Sequence, residues 1–187
     1  MIRFAIAVTA IEVVLTLAAS LWITFSETAD PYLTEQEFTM LGIPVEKYST
    51  ECRTRFGAPF SYDSQAVVKD LGPAILVSVR VGTPRAEYDN RLAGERNPKL
   101  REGDEPPTVT DEPWRQEVGY AVRQRGADGV RVEVVRLRGA EMIVLRAIRM
   151  NVPGTHAGFQ VAKCERLMRI LQEHLLVKLG WREAGDR

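Results

Sequence analysis

Cysteine and histidine are scarce in this chain of 187 residues, at two each, and net charge is absent. So few soft ligands leave little for a metal cluster, and no metal or cofactor is expected. The 25 basic and 25 acidic residues cancel, which argues against a general nucleic-acid binder, whose basic excess normally shows in the total. Paired-His helix motifs, phosphate loops, dinucleotide fingerprints and serine elbows are all missing, so no catalytic residue is assigned. What the chain does have is apolar material, 45% of its residues, enough for the core of one modest domain.

Residues 4–25 carry a single charge, Glu12. At 1.5 Å per residue such a run spans a hydrocarbon core of roughly 30 Å. The reading is an uncleaved signal-anchor helix over residues 1–26. A cleaved signal ending near Ser20 and an amphipathic helix of a soluble protein are the alternatives. Arg3 precedes the run and Glu27, Asp30, Glu35 and Glu37 follow it, so the positive-inside tendency puts the rest of the chain outside the cytoplasm. The expected placement is a single-pass, C-terminal-out protein of a bacterial cell membrane. Thr9, Glu12, Thr16, Ser20 and Thr24 follow one another at steps of three or four, forming a helix-packing face for a membrane protein partner.

Residues 27–43 read as a juxtamembrane connector, and residues 44–187 as an α+β domain. Val45, Tyr48, Cys52 and Phe56 recur at helical spacing, which predicts a short amphipathic helix. Residues 73–81 alternate as a half-buried strand does. The next stretch, 84–113, holds five prolines and thirteen charged residues and reads as a flexible charged loop. Three further strands are expected over 117–124, 130–138 and 141–150, with a bulge where Val135 and Leu137 change phase. A long helix closes the chain, its stripe running from Val161 through Cys164, Leu167, Met168, Leu171 and Leu175 to Leu179. The expected fold is therefore an N-terminal transmembrane helix followed by two layers, a four-stranded antiparallel sheet covered by the C-terminal helix.

Both cysteines sit in apolar stripes, so in an oxidising compartment Cys52 and Cys164 are expected to form a disulfide. Residues 114–187 hold fourteen basic and eight acidic residues. Arg123, Arg131, Arg136, Arg138, Arg146 and Arg149 fall on neighbouring strands, where they form either a basic face for an anionic partner or a solvated face with cross-strand Glu partners. His156, just before the last helix, reads more simply as part of a helix-capping loop than as an anion site. These features point to a membrane-anchored extracytoplasmic interaction module, non-catalytic, that binds a protein or envelope component. The alternative is a carrier or sensor holding an apolar small molecule between helix and sheet. A hydrolase or transferase using residues without a motif stands third.

Overall fold

The computed structural model describes residues 23–26, 32–55, 58–69, 72–82, 84–113, 117–126, 129–150 and 157–182. Eight strands form one antiparallel sheet, twice the width expected. They are β1 (Ile23–Ser26), β2 (Val45–Arg55), β3 (Ala58–Val68), β4 (Ala74–Val81), β5 (Thr108–Asp111), β6 (Val118–Gly126), β7 (Gly129–Arg138) and β8 (Glu141–Met150). Helices α1 (Glu35–Met40), α2 (Arg85–Arg96) and α3 (Ala157–Lys178) accompany them. The strand order β1-β2-β3-β4-β8-β7-β6-β5 makes the sheet two four-stranded meanders joined at β4 and β8. The join is in register at Val77 with Leu145 and Ser78 with Val144.

Alternation assigns side chains to the two faces. One face carries Ala66, Ile75, Val77, Val130, Val132, Val134, Ile143, Leu145 and Ala147, and α3 lays Cys164, Met168, Leu171 and Leu175 against it. Leu33, Phe38 and Ile43, in and around α1, complete that layer. The opposite face carries a smaller cluster, Tyr120, Val122, Val135, Leu137, Met142 and Val144, covered by Tyr88 and Leu92 of α2. Strand β8 is central, and its segment Met142–Leu145 is buried on both faces, as its continuous apolar run demands.

Several expectations are corrected. The helix expected over 44–56 is strand β2, so Cys52 lies on a strand. The stretch 84–113 contains α2 and β5. No bulge interrupts β7, whose pairing with β6 runs unshifted from Val118–Leu137 to Gly126–Gly129. Its change of phase reflects burial on both faces: Val130, Val132 and Val134 meet the α3 layer, Val135 and Leu137 the α2 layer.

The expected disulfide is absent, and both cysteines are buried free thiols. Helix α3 packs on β7 and β8, whereas β2 lies three strands from β8, roughly 14 Å at ordinary strand spacing. A disulfide needs its Cα atoms within about 7 Å.

The membrane reading is corrected as well. Among the described residues no helix is long and apolar enough to cross a membrane. The last residues of the expected span form β1, with Ile23 paired to Arg55 and Thr24 to Thr54. Backbone groups committed to a strand ladder cannot also end a spanning helix. Thr24 therefore leaves the helix-packing face, while Thr9, Glu12, Thr16 and Ser20 lie outside the described residues, as does His156. The single-pass, extracytoplasmic placement thus lacks, among the described residues, the helix it required.

A candidate binding face on the uncovered half of the sheet

Helix α2 covers the β5–β6–β7 side of its face and the start of β8. The remainder, built from β2, β3, β4 and the end of β8, is left uncovered by the described residues. It encloses a cavity of about 540 Å3 lined by Lys47, Tyr48, Ser49, Gln65, Ala66, Val67, Ala74, Ile75, Leu76, Arg146 and Ile148. Register explains the grouping. Gln65 pairs with Leu76 and Leu76 with Arg146, while Ala74 pairs with Ile148, so alternate residues of four strands project to the same side. The apolar ones are left to solvent: Val67 is 36% and Ile148 42% exposed. These values mark an apolar floor that no element of the described chain covers.

A chain of alternating charges borders the cavity. Arg53 Nε lies 2.9 Å from Glu51 and 3.9 Å from Asp63. Arg80 lies 3.9 Å from Asp63 and 3.8 Å from Glu87. Arg91 then lies 3.1 Å from Glu87 and 3.7 Å from Glu133, and Arg146 donates its Nε to the other Glu133 oxygen. Asp63 and Glu133 are buried, at 6% and 0% exposure. Isolated carboxylates at that depth would be costly; guanidiniums and hydroxyls flank Asp63, whereas Glu133 accepts from Arg146 through one oxygen and its other oxygen has only Arg91 nearby at 3.7 Å. Ser61 donates to Asp63 Oδ2 at 2.9 Å, and Ser78 donates to Oδ1. Beside the chain, Arg131 makes a bidentate contact with Glu95 of α2 at 2.7 and 2.6 Å.

The six arginines of the sequence reading divide between the two faces. Arg123 contacts Glu165 of α3. Arg136 is buried and bonded to Glu112, and Arg138 donates to the carbonyl of Gly180. Arg149, also buried, lies near the Cys164 thiol. Arg131 and Arg146 alone belong to the face that holds the cavity. Lys47, Gln65 and the apolar floor were missed from sequence because their juxtaposition arises from strand pairing. The alternation of Ser49, Glu51 and Arg53 with Tyr48, Thr50 and Cys52 was the available signal.

Ser61 and Ser78 bond a carboxylate held between arginines, and among the described residues no imidazole bonds to either hydroxyl. His174 lies elsewhere, 3.1 Å from Glu37. No group of three or more metal-ligating side chains occurs among the described residues. Burial raises the Cys164 thiol pKa to about 11. Burial and then the neighbouring Asp63 raise that of Cys52, so neither is a ready nucleophile. The described residues form a helix-backed antiparallel sheet with part of one face uncovered. No family model matches the chain, and no curated protein and no solved structure matches it.

Proposed function

We propose that this chain is a non-catalytic binding module that receives its partner on the open β2–β3–β4–β8 face. The observation carrying this reading is the 540 Å3 cavity on an otherwise well-packed sheet. Its volume lies within the roughly 300–1,000 Å3 common for ligand sites, and it combines an apolar floor with a few polar groups. The carrier or sensor reading has its support at this face too. Between α3 and the sheet, Met168, Leu171, Leu175 and their strand partners fill the centre of the layer, and a smaller cavity of about 250 Å3 remains at its charged margin, beside Arg123, Arg136 and Glu165.

Native mass spectrometry of the full chain isolated from its source cells tests the reading. Wild type should carry a non-covalent adduct that Ala74→Trp, which fills the cavity from an exposed position, abolishes at unchanged thermal stability. An adduct indifferent to Ala74→Trp, or no adduct on either protein, would remove the face as the binding site.

A further inference from the structure

The chemistry of the cavity wall narrows the class of ligand, an inference that rests on the binding reading above. The eleven lining residues include two cations, Lys47 and Arg146, and no carboxylate, although the whole chain balances 25 of each sign. Lys47 is exposed on β2 and Arg146 reaches in from β8, so they stand on opposite walls. Arg146 is also the end of the alternating chain. Glu133 is shared between two guanidiniums, 3.7 Å from Arg91 and bonded to Arg146 Nε. One carboxylate therefore faces two positive charges, and the Nη groups of Arg146, a planar fork suited to a carboxylate, remain for the cavity. Between the two cations lies the floor of Val67, Ala74, Leu76 and Ile148.

We propose that the cavity takes a single-chain carboxylate amphiphile, a free fatty acid in chemical class. Its head extends the charge alternation one step beyond Arg146 on the β8 wall, and its tail lies on the apolar floor that runs towards Lys47. A bare inorganic anion leaves that floor wet.

The test uses the full chain and isothermal titration calorimetry with decanoate, and with 1-decanol as its uncharged counterpart. Decanoate should bind one to one. Decanol should bind at least about tenfold more weakly, and Arg146→Gln should weaken decanoate by at least about tenfold, a loss of roughly 1.4 kcal/mol, while leaving decanol unchanged. Arg146→Lys should retain most of the affinity, and unchanged binding of decanol by both variants excludes misfolding. Equal binding of decanol and decanoate would overturn head-group recognition. So would silence of decanoate while the native adduct is still lost in Ala74→Trp. In both cases the binding reading survives. Binding to anionic phospholipid vesicles with free decanoate inert would give the face to a membrane surface and overturn the proposal. Failure of every ligand together with the absence of a native adduct would remove the proposal and the binding reading alike.

Discussion

Glu37 ties three parts of the chain together. Its carboxylate accepts from the Thr34 backbone amide at 2.7 Å and its hydroxyl at 2.9 Å, from Lys178 Nζ at 2.6 Å, and lies 3.1 Å from the His174 ring. Thr34 in turn accepts from the Glu37 amide at 3.2 Å, completing a capping box at the start of α1. Burial alone would raise the carboxyl pKa. The hydrogen bonds from Lys178, the Thr34 amide, His174 and the Thr34 hydroxyl outweigh it and hold the group at about 2, against an ordinary 4.5. A depressed folded-state value means the unfolded chain binds the proton more readily. The contribution of Glu37 is thus complete above about pH 5 and lost as pH falls from there toward 2. Glu37→Gln should cost roughly 2 kcal/mol at pH 7 and flatten the acid limb of the stability profile between those values. Urea unfolding of both proteins at pH 7 and pH 3 checks it: an equal difference at the two pH values would refute the linkage.

The thiols make a second prediction at this scale. Both are buried, and burial is the leading cause that raises each pKa. At pH 8 a maleimide should leave the native chain unlabelled and label both positions in guanidinium. Reductant should leave the unfolding midpoint unchanged.

Helix α2 holds to the sheet in a way that sets its dynamics. Its apolar anchor is small, Tyr88 buried and Leu92 partly buried, and the rest is charge. Arg85–Asp89 and Glu87–Arg91 pair along the helix, while Arg91, Glu95 and Arg96 reach Glu133, Arg131 and Asp111. The exposed pairs, Arg85–Asp89 and Arg96–Asp111, contribute little singly and weaken with salt, whereas the more buried Arg91–Glu133 and Arg131–Glu95 are screened less. In 1 M NaCl, amide exchange across α2 should accelerate several-fold while that of the buried β8 segment Met142–Leu145 stays fixed. Tyr88→Ala should release the helix at low salt, at a cost of about 2–4 kcal/mol. Exchange in α2 that ignores salt would mean Tyr88 and Leu92 suffice.

The same charge explains why α2 was hard to see. Only Tyr88 and Leu92 supply its apolar spacing, and prolines flank it, so composition pointed to a loop. The pairs at i and i+4 were the legible signal. Strand β2 misled for a different reason. Tyr48 and Cys52 lie four apart, a step that keeps one face both in a helix and in a strand. A register shift between Val45 and Lys47 then puts Val45 in phase with the helical reading. The strands β4, β6, β7 and β8 and the helix α3 were legible because each presents a long periodic apolar set to a core. The candidate face was legible only in part, through Arg146. Which strands stand beside β8 is decided by pairing over long sequence separations, so neither Lys47 nor the floor of Val67 and Ala74 carried a local mark.

At the level of the molecule, the sheet divides its work between its faces. The α3 side carries the larger apolar cluster, including Leu171 and Leu175 at 0% exposure. Among the described residues the other side is covered by α2 over part of its area and open over the rest, with buried charges held in a chain rather than replaced by apolar contact. Stability therefore resides mainly on one face, and the candidate binding surface can change without threatening it. That separation is measurable. Leu171→Ala leaves a cavity in a filled layer and should cost about 2–5 kcal/mol. Ile148→Ser removes an apolar side chain already 42% exposed and should cost under about 1 kcal/mol. If the floor is a binding surface, Ile148→Ser should nevertheless weaken decanoate severalfold, because the exposed methyl groups then matter only to what covers them. A large loss of stability in Ile148→Ser would instead make this residue part of the structural core, and the open face a consequence of packing rather than a place for a ligand.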